Sequence, residues 1–149
     1  MAETTAPSTM TPRHLWVIGV VSLLWNAIGA LDFSMTQMRN EAYLAAFTAE
    51  QLDYFYGFPL WVVVAWGVAT WGSLAGSLAL LLRKSRAFIL FVISFVAMMV
   101  TTLYNFVLTN GREIMGGGAG ALAFTATIVV VGFLLIVYSR AMRRSGALR

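Results

Sequence analysis

The chain has 149 residues, of which 60% are hydrophobic and only 11% are charged. Soluble domains carry about a quarter charged residues, so this chain has too few polar side chains to coat a water-facing surface. The composition also excludes a disordered segment, a collagen and a coiled coil. The net charge of +4 does not indicate nucleic-acid binding, because the basic residues flank apolar runs. Composition therefore predicts an integral membrane protein.

Cysteine is absent, and His14 is the one histidine. The absence of thiols excludes disulfides, a thiolate nucleophile and a zinc ribbon. A single imidazole cannot form the histidine cluster of a haem or transition-metal centre. No nucleophile with a base and an orienting group is recognisable. We therefore expect no metal, no cofactor and no enzymatic activity.

Four long apolar runs predict four transmembrane helices. They cover residues 15–33, 59–82, 87–108 and 119–138, and none has an internal proline. Each has the roughly 20 residues that a helix needs to cross a ~30 Å hydrocarbon core. Backbone polar groups in lipid must be bonded within the segment, which favours continuous helices. The predicted fold is all-α, a single integral membrane four-helix bundle with tails at 1–12 and 139–149.

A cleaved signal peptide is the alternative reading of the first run, which follows a basic residue at Arg13. The run is longer than a usual signal-peptide core and lacks a clear cleavage site, which favours a retained span.

The basic residues predict the orientation of the bundle. Only Arg39 and Arg112 lie in the connections on one side. The other side holds eight: Arg13, Arg83, Lys84, Arg86, Arg140, Arg143, Arg144 and Arg149. The positive-inside rule then predicts that both termini lie in the cytoplasm. Six of these residues are predicted to contact lipid head groups: Arg83, Lys84, Arg86, Arg140, Arg143 and Arg144.

The connection between the first two runs predicts a short helix over residues 49–56. Thr48 and Gln51 have the spacing of a capping box, and Gly57 with Pro59 ends this helix and starts the next span. We expect the helix to lie along the outer membrane interface. The aromatic residues around it suggest either an interfacial belt or a stacking platform for a sugar or quinone head group: Tyr43, Phe47, Tyr54, Phe55, Tyr56, Phe58 and Trp61.

Asn26 is the polar residue deepest in the first run. It lies about 16 Å into the span at a rise of 1.5 Å per residue, near the bilayer centre. Trp71 lies at comparable depth in the second run, and its indole N–H could donate to the Asn26 side-chain carbonyl. A ligand contact is the alternative to this interhelical hydrogen bond.

Asp32 and Asn105 lie nearly level, about 25 and 27 Å from the basic side by the same rise. One hypothesis is that they form a single polar site under the outer loop. An intramembrane carboxylate is typical of a proton or cation route. The alternative is a solvated acid at a helix end, paired with Arg39 or Arg112. The candidate intramembrane site therefore comprises Asn26, Asp32 and Asn105.

Small residues recur at helical spacing along the second run. The stripe consists of Ala65, Ala69, Gly72, Gly76 and Ala79. Such a stripe lets two helix backbones approach closely in lipid. The pattern predicts helix packing, with a partner helix either in the same chain or in a second copy.

Two stretches carry a family resemblance: LLWNAIGALDFSMTQMRNEAYLAAFTAEQLDYFYGFPLW, from Leu23 to Trp61, and YNFVLTNG, from Tyr104 to Gly111. In them the chain resembles a family of small bacterial four-span membrane proteins, whose members are often labelled as sugar transporters. The resemblance implies a four-span fold in the bacterial inner (plasma) membrane and assigns no site residues.

Two functions follow from these observations. The favoured one is a non-enzymatic membrane component, either an accessory subunit or a self-associating bundle. The alternative is a small-solute transporter or channel, for a sugar if the family label applies, acting as an oligomer with Asn26, Asp32 and Asn105 lining its path. The expected partners are the lipid bilayer and a homo-oligomer or larger membrane complex, with no nucleic acid.

Overall fold

The structure, a computed structural model, describes residues 11–149, and all helix assignments refer to that part of the chain. It is helical there, with no strand. The elements in chain order are α1 (Arg13–Gln37), α2 (Glu41–Leu44), α3 (Ala49–Tyr56), α4 (Leu60–Leu81), α5 (Arg86–Leu103), a π-helical segment (Tyr104–Leu108), α6 (Gly111–Ile114) and α7 (Ala119–Arg144). Most of the predicted N-terminal tail, residues 1–12, lies outside the described residues.

Four of these helices are long and apolar enough to cross a membrane. They are α1, α4, α5 continued through the π-helical segment, and α7. The all-α class and the four long apolar helices are therefore confirmed. Within residues 11–149 the prolines lie at helix starts, since Pro12 and Pro59 are the N-caps of α1 and α4. A proline lacks the N–H that a helix interior needs, so this placement leaves the long helices unbroken.

The four long helices surround a central space. Helix α4 packs against both α1 and α5, and α7 packs against α5. Two side-chain contacts join α7 to α1. The His14 ring nitrogen Nδ1 lies 2.6 Å from the Tyr138 hydroxyl, and the rings of Trp25 and Phe124 have centroids 6.4 Å apart.

The small-residue stripe of α4 packs within the chain. A Cβ atom built on Gly76 would lie 2.9 Å from the Phe91 ring of α5, and one on Gly72 would overlap the Ser94 hydroxyl. Ala79 packs against the buried core, Ala69 lines the central space, and Ala65 is partly buried. The sequence left open whether the stripe packs on a helix of the same chain or of a second copy. For Gly72 and Gly76 the partner is helix α5 of the same chain.

The end of the bundle formed by residues 13–15, 82–87 and 139–149, here called the basic end, differs from the prediction. Helix α7 continues to Arg144, so the predicted helix end at 138 and the tail over 139–149 need correction. The last residues fold onto the α4–α5 turn. The Arg149 N–H donates to the Arg83 carbonyl at 2.7 Å, and the Ser85 N–H donates to the Arg149 carbonyl at 2.8 Å.

Two of the predicted head-group contacts at the basic end are engaged within the chain. The Arg83 side-chain Nε donates to the Ala147 carbonyl at 3.0 Å. The Arg143 guanidinium lies over the Phe88 ring, 4.6 Å from its centroid. The Arg83 guanidinium therefore helps to hold the chain end in place, and its contact with lipid head groups stays a prediction.

The opposite end, residues 38–58 and 104–118, is here called the aromatic end. Helix α3 begins with the predicted capping box, in which the Thr48 hydroxyl accepts from the Gln51 N–H and the Gln51 side chain accepts from the Thr48 N–H. The aromatic rings pack on one another around Phe58. Its ring centroid lies 5.0 Å from that of Tyr54 and 5.5 Å from that of Tyr104, both in edge-to-face geometry. This cluster holds the loop helices on the ends of α4 and α5.

Candidate functional site

A cavity of about 590 Å³ lies between α1, α4, α5 and α7. Its lining is chiefly apolar and aromatic, with a few polar side chains among them. Pockets of 300–1,000 Å³ with mostly apolar walls and a few polar groups are typical of small-molecule sites. Here the polar side chains are the amide of Asn26, the carboxylate of Asp32, the phenol of Tyr43 and the hydroxyls of Thr70, Ser73, Ser94, Thr101, Thr102 and Thr125.

The serine and threonine hydroxyls of the cavity donate their protons within their own helices. For example, Thr70 Oγ1 donates to the Trp66 carbonyl at 3.0 Å, and Ser94 Oγ donates to the Leu90 carbonyl at 2.8 Å. Ser73, Thr101, Thr102 and Thr125 do the same. Back-bonding of this kind satisfies a hydroxyl inside an apolar bundle. The hydroxyls thus add little hydrogen-bond donation to the cavity.

Asn26 joins α1 to α4. Its side-chain Nδ2 donates to the Ser77 hydroxyl at 2.8 Å and lies 3.4 Å from the Ser73 carbonyl. Ser77 is fully buried. The predicted pairing with Trp71 is wrong, because the Trp71 side chain is about half exposed on another face of α4. Helical rise places two residues at the same height, but it does not fix the direction in which either points.

Replacing Asn26 by leucine should lower the free energy of unfolding by about 0.6 kcal/mol, a typical value for an interhelical hydrogen bond in a membrane bundle. The loss is small because Ser77 keeps its own bond to the Ser73 carbonyl. Reversible unfolding in mixed micelles measures it. Asn110→Leu is the matched control, since Asn110 is exposed and makes no side-chain cap. An equal loss of unfolding free energy in the two variants would contradict the assigned hydrogen bond between Asn26 and Ser77.

Asp32 and Tyr43 form the second polar contact in the cavity lining. The Tyr43 hydroxyl donates to Asp32 Oδ1 at 2.5 Å. Helix α2 positions the ring, because Asn40 caps that helix by accepting the Tyr43 N–H at 3.0 Å. Arg39 stacks over the Tyr56 ring instead of pairing with Asp32.

Asn105 does not join Asp32, so the prediction of one shared polar site is corrected. Its Oδ1 accepts from the Tyr54 hydroxyl at 2.7 Å, and its Nδ2 donates to the Thr101 carbonyl at 2.8 Å. The Tyr54 hydroxyl also lies 2.6 Å from Thr109 Oγ1. Asn105 lies in the π-helical segment and links it to α3.

The phenol of Tyr43 resists ionisation. Burial, the hydrogen bond to Asp32 and the negative charge of that carboxylate together raise the pKa of Tyr43 to about 12, with burial the largest cause. Burial also raises the pKa of Tyr54, opposed by the Thr109 hydrogen bond. Both phenols therefore act as neutral hydrogen-bond donors.

Titration of Tyr43 should show phenolate formation near pH 12 rather than near the ordinary value of 10. A raised pKa in the folded state favours the protonated form, so its contribution to stability is full below pH 10 and is lost as the pH rises through about 12. The difference in phenolate absorbance between the wild type and Tyr43→Phe isolates this residue. Asp32→Asn should move the transition back toward pH 10, and an unchanged transition would contradict the assigned contact.

Ser77, which bonds Asn26, and Trp66, which lines the cavity, are two parts of the site that were not predicted from the sequence. Ser73 and Ser77 are spaced by one helical turn beside the glycines of the stripe, and this spacing was the available signal for Ser77. Trp66 had no such signal, because an aromatic residue in an apolar run is typical of lipid contact as well as of packing.

No group of three or more His, Asp or Glu residues that could hold a metal ion occurs within residues 11–149.

Comparison of the chain with protein-family models, with curated proteins and with solved structures found no match. The resemblance to the four-span family therefore stays a prediction.

Proposed function

We propose that this chain is a small bacterial inner-membrane protein that acts as a non-enzymatic membrane component and holds a small molecule with a largely apolar body in its central cavity. In this proposal both termini are cytoplasmic, and the basic end lies against the lipid head groups of the inner leaflet. Association with a second copy or a larger membrane complex is compatible with it.

Membrane insertion is supported by the length and surface of the bundle. Helix α4 is the shortest of the four long helices with 22 residues, which correspond to about 33 Å at 1.5 Å per residue and match the hydrocarbon core. Large apolar side chains such as Ile28, Leu60 and Val107 are more than two-thirds exposed around the bundle. Lipid is the solvent that such a surface requires.

The observation that carries the binding proposal is the cavity with its back-bonded hydroxyls. Its wall offers a large apolar area, and its hydroxyls keep their protons within the helices. An apolar molecule loses its contact with water on entering, and the hydroxyls that it covers keep their hydrogen bonds within the helices. A hydrated sugar would meet few donors there, so the geometry favours retention of an apolar ligand over passage of a sugar.

Native mass spectrometry of the protein in mild detergent tests the binding proposal. We expect a small-molecule adduct on the wild-type chain that is lost in Ala69→Phe, because a phenyl ring at Ala69 fills part of the cavity. Ala75→Phe is the matched control, since Ala75 is exposed on the same helix, and it should keep the adduct. No adduct on the wild type, or an adduct retained by Ala69→Phe, would contradict the proposal.

The transport alternative has its own test. Uptake of a sugar into vesicles that contain the protein should not exceed that of empty vesicles, and Asn26→Leu and Asp32→Asn should leave it unchanged. Uptake that depends on either residue would favour a transporter over a binding component.

A further inference from the structure

Asp32 is the one charged side chain, within the described part of the chain, that lines the cavity. It is partly buried, and its hydrogen bond comes from a neutral phenol. A phenol donates a proton to the hydrogen bond but does not balance the negative charge. A carboxylate among apolar walls is stabilised when a cation comes to it. The nearest arginine in sequence, Arg39, is held on the Tyr56 ring.

Aromatic side chains line the cavity together with Asp32. Trp66 and Tyr43 are among them, as is Trp25 on α1. The Trp66 ring is held in place by Phe33, whose ring packs edge-to-face at a centroid distance of 5.1 Å. The faces of tryptophan and tyrosine rings carry negative charge density and attract cations, most strongly where water is excluded. A carboxylate and electron-rich rings therefore lie on the wall of one apolar cavity.

We propose that the ligand of this cavity is a lipophilic organic cation, an amine or quaternary centre with an apolar body, whose charge lies against Asp32 and the aromatic rings. This inference rests on the proposed binding function and names its ligand class. The apolar body would occupy the part of the cavity between α4, α5 and α7, where Phe95 and Ile128 line the wall. A lipophilic anion of the same shape would be repelled by the negative charge of Asp32 and should bind more weakly.

The test uses tetraphenylphosphonium and tetraphenylborate, which have the same shape and opposite charge. Binding of each to the purified protein in detergent is measured by equilibrium dialysis, for the wild type, Asp32→Asn and Asp53→Asn. Asp53 is exposed on α3 and provides the matched control. Asp32→Asn keeps the side-chain shape and an oxygen that accepts the Tyr43 hydroxyl.

We expect the wild type to bind the phosphonium at least about tenfold more tightly than the borate, a difference of 1.4 kcal/mol. Asp32→Asn should remove this preference by weakening phosphonium binding, and Asp53→Asn should retain it. Equal binding of both ions, unaffected by Asp32→Asn but lost in Ala69→Phe, would overturn the cation inference and leave the binding function standing. No binding of either ion would overturn the cation inference, while an adduct in native mass spectrometry would still support the binding function.

Discussion

Replacing Leu148 by alanine should lower the free energy of unfolding by about 2–5 kcal/mol, the range for large-to-small changes in a packed core. Leu148 is 4% exposed although it lies one residue from the end of the sequence. It belongs to one buried cluster with residues from all four long helices: Leu15, Leu80, Phe91 and Leu135. Removing its side chain leaves a void at the point where these helices meet.

Leu82→Ala is the matched control for Leu148→Ala, because Leu82 lies in the same end of the bundle and is 60% exposed. Reversible unfolding in mixed micelles gives both values. A change at Leu148 no larger than that at Leu82 would show that the chain end does not pack on the core.

Gly76→Ala should destabilise the bundle by about 1–3 kcal/mol, as is typical of overpacking. The new Cβ would lie 2.9 Å from the Phe91 ring, which is itself buried and cannot move aside without disturbing the core. In the double variant with Phe91→Leu, the total loss should be smaller than the sum of the two single losses, because the smaller side chain leaves room for the methyl group.

Gly120→Ala in α7 is the control for the substitution at Gly76, since a Cβ there would meet nothing within 4 Å. It should be neutral or slightly stabilising, because alanine favours helix over glycine. A similar loss in both variants would contradict the assignment of the effect to the close contact between α4 and α5.

The apolar runs predicted the four long helices because length and hydropathy alone decide whether a segment can cross a hydrocarbon core. The end of α7 was predicted less well. Ser139 and Arg140 broke the apolar run, yet a helix continues through polar residues as long as its backbone bonds are kept. The hydrophobic pattern predicts the length of the apolar part of a span, but it does not predict the residue at which the helix ends.

The candidate site was predicted in part. The sequence indicated the polar residues of α1, because Asn26 and Asp32 stand out in an apolar run. It did not give their partners, which depend on the rotation of each helix about its axis. The chosen pairings failed for that reason, since Asn26 meets Ser77 and Asn105 meets Tyr54. The π-helical turn at 104–108 contributes to this, because it shifts the register of Asn105 relative to α5.

The orientation of the bundle in a membrane is the central claim to be tested. Because the chain contains no cysteine, single introduced cysteines can show on which side of the membrane each end lies. Single cysteines are introduced at two exposed positions, Glu113 at the aromatic end and Ser145 at the basic end. Intact spheroplasts are treated with a membrane-impermeant maleimide. We predict labelling of Glu113→Cys in intact spheroplasts and labelling of Ser145→Cys only after the membrane is disrupted. Labelling of Ser145→Cys from outside, or recovery of the protein in the soluble fraction, would contradict the account.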